Sequence, residues 1–215
     1  MNIIILGSQG SGKGTQALFL AEKFNAMHID VGKMLRKLAK EENALGRELY
    51  DIIHIKKELV SDEIVLKALR EEFKRVPQGR GIILDGAPRR VDQIEKVEQV
   101  FSGLGRTIDE VVFIDITKEE SIDRVSKRYS CSKCHKHFVL GDNLIGASDL
   151  CPDCGEPVEQ RKDDTKEGIL KRLSIFNEQT MPVVEYYRKK GILAEVDGMK
   201  SKEKVFFEIL EKIKK

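Results

Sequence analysis

The chain has 215 residues, 40% hydrophobic and 34% charged, enough apolar material for one core of ordinary size with additions. That composition excludes a disordered chain, and the net charge of +2, from 38 basic and 36 acidic residues, leaves no general electrostatic footprint for duplex nucleic acid. No apolar run approaches the length of a membrane span, and the apolar start at Ile3–Leu6 is a strand followed by glycines rather than a signal peptide, so neither membrane nor nucleic acid is an expected partner and a cytoplasmic location is expected.

The elements in chain order predict an α/β protein. NIIIL at residues 2–6 reads as a short buried strand, residues 7–14 as a glycine-rich turn, and residues 15–24 as an amphipathic helix. Residues 33–59 carry helical periodicity with a break near Gly46. Ser61 stands as an N-cap before Ile64, Leu66, Leu69 and Phe73. GIILD (81–85) and VVFIDI (111–116) read as buried strands, and residues 119–129 as a helix. The segment around the cysteines is rich in Gly, Asp and Pro and follows neither period. A long helix over 165–190, a strand over 192–197 and a helix over 202–214 complete the chain. The sum is a β-α repeat with a helical insertion at 30–60 and a metal-type insertion at 127–164. In such open parallel sheets ligands bind at the C-terminal strand ends, where Gly7, Asp85 and Asp115 fall.

GSQGSGKGT (7–15) nearly fits the phosphate-loop pattern G-x-x-x-x-G-K-[ST]. Gly7, Gly12 and Lys13 are in register, but Gly14 holds the usual hydroxyl place and the hydroxyl comes at Thr15. Glycines let backbone N–H groups converge on phosphate oxygens, the following helix N-terminus adds its dipole, and Lys13 supplies a point charge. Because Gly14 cannot ligate Mg²⁺, phosphates, waters and an acidic residue such as Asp85 are expected to hold it. The four cysteines are spaced C-x2-C-x16-C-x2-C at Cys131, Cys134, Cys151 and Cys154. Two such pairs can surround one tetrahedral Zn²⁺, and ligation would supply folding energy to a segment with few large apolar residues. His135 and His137 are further candidate ligands, but four thiolates already complete a structural site.

GSQGSGKGT, LDGAPRR (84–90) and RKDD (161–164), with GKMLR (32–36), LVSDE (59–63), DRVSKR (123–128), KRL (171–173) and VDG (196–198), resemble in order and nearly end to end the adenylate kinase family of nucleoside monophosphate kinases. The resemblance implies a P-loop NTPase-type parallel sheet flanked by helices, over 1–29, 61–126 and 165–215. It also implies an NMP-binding insertion over 30–60 and a zinc-binding lid over 127–164, as in some bacterial members. The implied reaction passes the γ-phosphoryl group of ATP reversibly to AMP, giving two ADP, in a monomer whose insertions swing freely. The resemblance implies ATP contacts at Gly10, Ser11, Gly12, Lys13, Gly14, Thr15, Arg124, Arg128, His137, Phe138 and Lys200. It implies AMP contacts at Val31, Arg36, Glu58, Leu59, Val60, Gly86, Ala87, Pro88, Arg89 and Gln93. Arg161 and Arg172 would span both substrates, and Lys13, Arg89, Arg124, Arg128, Arg161, Arg172 and Asp85 would carry catalysis. Arg124 and Arg128, one helical turn apart, are expected on one side of a helix. Asp163 and Asp164 are expected to fix the lid hinge.

The chain departs from the family pattern in the monophosphate clamp. Val31 replaces a hydroxyl residue, Lys33 an acidic one and Ala87 a phenylalanine, and the stretch 54–60 is one residue longer than expected. UMP or CMP as acceptor is therefore an alternative with the same chemistry. A zinc-ribbon nucleic-acid binder is a second, hinted at by HKHF (135–138), but the balanced charge and the absence of aromatic residues among the basic stretches argue against it. A catalytically dead nucleotide sensor is a third, opposed by Lys13, Asp85 and the arginines.

Overall fold

The computed structural model of the protein describes residues 1–56, 58–131, 133–134, 136–141, 146, 150–160 and 164–213. The chain opens with β1 (Asn2–Leu6), whose five residues are all buried, and turns through the glycine loop into α1 (Lys13–Lys23). That helix starts two residues earlier than the periodicity suggests. Its N-cap is Gly12 at φ 90°, a left-handed conformation that lets the loop close directly onto the first turn. Next come β2 (Ala26–Asp30), α2 (Val31–Leu38), α3 (Ala44–Tyr50) with its π-helical continuation Asp51–Lys56, and α4 (Asp62–Lys74). They are followed by β3 (Gly81–Asp85), α5 (Val91–Ser102), β4 (Glu110–Asp115) and α6 (Lys118–Ser126). The small strands β5 (Arg128–Cys131), β6 (His137–Val139) and β7 (Val158–Gln160) precede α7 (Lys166–Ile175). A π-turn at Phe176–Thr180 joins α7 to α8 (Met181–Lys190), and β8 (Leu193–Asp197) and α9 (Lys202–Lys212) end the fold.

Among the described residues, five parallel strands form the main sheet in the order β2-β3-β1-β4-β8. Alternation along β1 explains the layers. Ile4 and Leu6 face one side, with Leu69 and Phe73 of α4, Ile94 and Phe101 of α5, and Val183 and Tyr187 of α8. Ile3 and Ile5 face the other, with Ala17 and Leu20 of α1 and Val205 and Ile209 of α9. Burial on both faces is why β1, β3 and β4 are continuous apolar runs. The C-terminal strand ends share one edge, and there Asp30 of β2 lies beside Asp85 of β3 in register.

The structure differs from the sequence reading in several places. β2 was not expected. It is the sheet's edge strand, two of its five residues are fully buried, and AMHID therefore lacks an apolar run. No element was expected over α5, although its buried face (Gln93, Ile94, Val97, Val100, Phe101) has helical spacing. Gly46 does not break the helical stretch. It lies inside α3, where a Cβ would meet the Glu41 carbonyl oxygen at 2.0 Å, and the break falls before α3, where Asn43 caps the helix through Gly46 N–H. Finally, α6 ends at Ser126 rather than Tyr129. Arg128 therefore sits on β5, and helical spacing does not relate it to Arg124. Ser61 is the N-cap of α4 by position but makes no side-chain capping bond.

Candidate active site and metal cluster

The phosphate loop is braced from outside. Ser121 Oγ donates to Gln9 O at 2.6 Å, Gln9 Nε2 donates to Ile169 O of α7 at 2.7 Å, and Arg124 Nη1 reaches Gly10 O at 3.4 Å. Inside the loop, the hydroxyls of Ser8 and Ser11 are buried with no hydrogen-bond partner among the described residues. Unpaired buried donors are costly, so a loop that holds two of them is built for a ligand with acceptor oxygens. Lys13 Nζ donates to the carbonyl oxygens of Gly7 and Ser8, each at 2.7 Å. Burial pulls its pKa down to about 8, and the nearby charges of Asp85, Arg89, Arg128 and Asp30 act on it as well. Those four groups come from β3, the turn after it, the lid edge and β2, so one ammonium group marks where separate segments converge.

Asp85 is 7% exposed at the end of β3, with one carboxylate oxygen 3.8 Å from the point where a Cβ on Gly14 would stand. His28 Nε2 approaches it to 3.9 Å and has no hydrogen-bond partner among the described residues. A buried carboxylate facing the loop position that lacks a hydroxyl has the chemistry to hold the hydration shell of a Mg²⁺ ion. Asp164 joins the other cations. Its side chain is fully buried and accepts from Arg128 Nε and Nη2 (2.8 and 2.7 Å) and from Arg172 Nη2 (2.7 Å). One carboxylate thereby ties the first strand after α6 to α7. Arg161 and Asp163 lie outside the described residues, as does His135. Arg124 donates to Glu120 (2.6 Å) and to Gly198 O (3.0 Å), which fixes it between α6 and the turn after β8. Lys200 pairs with Glu208 at 2.7 Å on the outer surface of that turn.

The opposite wall is built from β2, α2 and the turn after β3. Val31, Val60 and Ala87 are each at most 6% exposed and belong to the core, so the Val31 departure removes a polar group from this wall and the Ala87 departure exchanges one apolar side chain for a smaller one. Leu59 is half-buried and Glu58, exposed, accepts from Lys171 at 3.4 Å. Arg89 Nε donates to Gly86 O at 2.9 Å, and the Ala87–Pro88 peptide between them is cis. Gln93 Oε1 accepts from Arg89 N–H at 2.7 Å. Asp30 caps α2 through Lys33 N–H at 2.8 Å. Burial works against its charge, but Arg36, the capping bond, His28 and His137 outweigh it and hold its carboxyl below the usual range. His137 is exposed on β6, whereas Phe138 is buried among the cysteines and Val158. Asp30 and His28 were not singled out in the sequence. Their signal was the strand-end position opposite Asp85, hidden because β2 itself went unrecognised.

β5, β6 and β7 form a small antiparallel sheet, and around it the sulfurs of Cys131, Cys134, Cys151 and Cys154 all lie within 4.8 Å of one another with no disulfide. Cys131 to Cys154 is 3.4 Å and Cys134 to Cys151 is 3.6 Å. These distances are far beyond a bond between sulfurs and near the roughly 3.8 Å edge of a zinc–thiolate tetrahedron. The protonation chemistry fits a cation too. Burial opposes the Cys131 thiolate, yet the backbone N–H groups of Cys134 and Lys133 bring its pKa to about 6. For Cys154 the Glu156 N–H favours the thiolate, but burial and the three neighbouring sulfurs outweigh it and push the thiol up to about 12. Four thiolates cannot coexist here without a positive charge between them, and the residues present fit a Zn²⁺ ion.

A parallel sheet with a glycine phosphate loop, a buried carboxylate at the next strand end and converging arginines defines a P-loop phosphotransferase. The model of the adenylate kinase family matches residues 5–192. The chain is 37% identical over 211 residues to an adenylate kinase of Staphylococcus epidermidis, covering 98% of both. It is 36% identical to one from Methanocella arvoryzae over all of this chain and 99% of the other, and 38% identical to one from Geotalea daltonii over 95% of each. The chain belongs to the adenylate kinase family and is an enzyme of the phosphotransferase class. No helix among the described residues is long and apolar enough to cross a membrane.

Proposed function

We propose that the protein transfers the γ-phosphoryl group of Mg-ATP to AMP, reversibly, giving two ADP. The observation that carries this reading is the glycine phosphate loop, whose Ser8 and Ser11 hydroxyls are buried without a partner among the described residues and whose Gly14 stands beside the buried Asp85 carboxylate. The AMP phosphate is already an anion, so no general base is required, and catalysis consists of positioning and charge neutralisation. Lys13 and the loop N–H groups of Gly10, Ser11, Gly12, Gly14 and Thr15 hold the ATP phosphates. Arg36 and Arg89 hold the acceptor phosphate, against the apolar wall of Val31, Leu59, Val60, Ala87 and Pro88, with Glu58, Gly86 and Gln93 beside it. Arg124, Arg128, Arg161 and Arg172 neutralise the charge that spreads over the transferring group. His137 and Lys200 border the ATP side, with Phe138 in the lid core behind His137. Mg²⁺ would supply charge neutralisation at the phosphates, with Asp85 the residue that holds its water.

We assign the core to 1–29, 61–126 and 165–215, the acceptor clamp to 30–60 and the lid to 127–164, acting in a cytoplasmic monomer. Closure of clamp and lid excludes water, which otherwise competes for the phosphoryl group. On closing, Arg128 and Arg172 exchange part of their bonding to Asp164 for phosphate oxygens. A structural Zn²⁺ on Cys131, Cys134, Cys151 and Cys154 would let the lid move as one body. Metal analysis is expected to find one zinc per chain. Stripping it with a strong chelator should expose the amides of 128–160 to hydrogen exchange while β1, β3 and β4 stay protected. Full protection of the lid after metal removal would refute the assignment.

The test of the reaction is ADP formation from Mg-ATP with AMP, UMP, CMP and GMP in parallel, with AMP preferred. A pyrimidine preference would mean that Val31, Lys33 and Ala87 mark a changed acceptor, the second reading those residues support. Val31→Thr is expected to lower the KM for AMP several-fold, because a restored hydroxyl can add one hydrogen bond of about 1 kcal/mol. An unchanged KM would show that the hydroxyl is not what the pocket lacks.

A further inference from the structure

A primary amide can rotate by half a turn and exchange its donor and acceptor ends, unless both ends are held by partners that cannot change role. Gln93 is held at both. Its Oε1 accepts from the backbone N–H of Arg89 at 2.7 Å, and a backbone N–H can only donate. Its Nε2 donates to Asp62 Oδ1, and an ionised carboxylate can only accept. Asp62 is kept in that role by two cations, Arg90 on the same oxygen and Lys96 at 3.2 Å on the other. Burial works against its charge, but the bonds from Gln93, Arg90 and Lys96 outweigh it and keep its carboxyl below the usual range. Gln93 is 4% exposed, and after these two bonds its amide has one N–H and one oxygen lone pair left.

We propose that Asp62 sets which nucleobase the acceptor pocket takes, by locking the side-chain amide of Gln93 in one polarity. The inference rests on the reading above that Gln93 meets the acceptor base. Adenine and cytosine present a ring nitrogen acceptor beside an amino donor, whereas guanine and uracil present a ring N–H beside a carbonyl. One fixed amide pairs with only one of these orders at a given seat of the base, and a rotating amide pairs with both. With AMP as the acceptor, as proposed above, the locked order is the one that amino bases need, so AMP and CMP are favoured over GMP and UMP. Asp62 is a positioning and specificity residue. It needs no contact with the nucleotide, and the signal for it is the pairing of a carboxylate at the start of α4 with a glutamine in the first turn of α5.

The test uses the full chain and steady-state kinetics with the four monophosphates at saturating Mg-ATP. Asp62→Asn removes one of the two obligate partners, so that only the Arg89 N–H still opposes the turn. It is expected to raise the KM for AMP and to cut the ratio of AMP to GMP in kcat/KM on the order of tenfold, with kcat at saturating AMP and the KM for ATP unchanged. Asp62→Glu should restore the ratio, and Arg90→Ala, which leaves the Gln93 bond in place, should keep it. An Asp62→Asn enzyme that loses thermal stability but keeps the wild-type ratio overturns the proposal, because a purely structural role would do just that. Gln93→Ala separates the two layers. If it raises the KM for AMP while Asp62→Asn keeps the ratio, only the lock fails. If it leaves the KM for AMP unchanged, the base contact itself fails and the lock falls with it. Should Asp62→Asn not fold, Asp62→Ser removes the obligate acceptor and is read in the same assay.

Discussion

Lys13→Met is expected to lower kcat roughly 100- to 1,000-fold, the usual consequence of removing one preorganised group that meets developing charge. The fold should survive, as judged by an unchanged circular dichroism spectrum, because among the described residues the Lys13 ammonium bonds only to carbonyls of its own loop. The same lysine dictates a pH dependence. Burial lowers its pKa from the ordinary 10.5 to about 8. The ammonium is therefore complete below pH 8 in the free enzyme and is lost as pH rises through it, so kcat/KM for ATP should fall above about pH 8. The effect on stability has the opposite sign. Between about 8 and 10.5 the unfolded chain binds more protons than the folded one, so this group's burial penalty is relieved and its contribution rises with pH. A variant with wild-type kcat, or a kcat/KM for ATP that is flat to pH 10, would contradict the role given to Lys13.

Asp164→Asn is expected to reduce both stability and turnover. The native carboxylate is fully buried and serves Arg128 and Arg172 together. An amide leaves two guanidinium groups facing a neutral partner that also offers donors. Removing one partner of a fully buried pair costs about 3–5 kcal/mol. Here the arginines keep 18% and 22% of their side-chain surface, so solvent compensates in part and about 2 kcal/mol is the expected loss. For a chain of this size that corresponds to a Tm lower by about 4–8 °C in calorimetry. Turnover should fall too, by the proposed exchange of both arginines between Asp164 and phosphate. A Tm within about 1 °C of wild type would show that the pair contributes nothing measurable.

Much of this was legible before any coordinates. The runs NIIIL, GIILD and VVFID are unbroken because those strands are covered on both faces, and such runs are hard to mistake. The glycine loop and the cysteine pairs were legible for a different reason: phosphate cradling and tetrahedral thiolate ligation each need particular residues at fixed short spacings. What escaped depended on tertiary context. AMHID pairs along one edge only, so β2 has no apolar run, and Asp30 and His28 escaped with it. Gly46 reads as a breaker by propensity, yet it lies inside α3, and it is glycine because the Glu41 carbonyl leaves no room for a Cβ. Arg124 and Arg128 carry helical spacing in the sequence, and nothing local announces that α6 ends at Ser126. The bond between Asp62 and Gln93 spans 31 residues and no spacing rule foretells it.

The most direct test of the central claim runs the reaction backwards. The protein is given Mg²⁺ and ADP alone and followed by phosphorus NMR. If AMP is the acceptor and ATP the donor, ADP must disproportionate into equal amounts of ATP and AMP until equilibrium, and Lys13→Met must slow the approach without moving its end point. ADP that stays unchanged, or that yields AMP and free phosphate without ATP, would contradict the account.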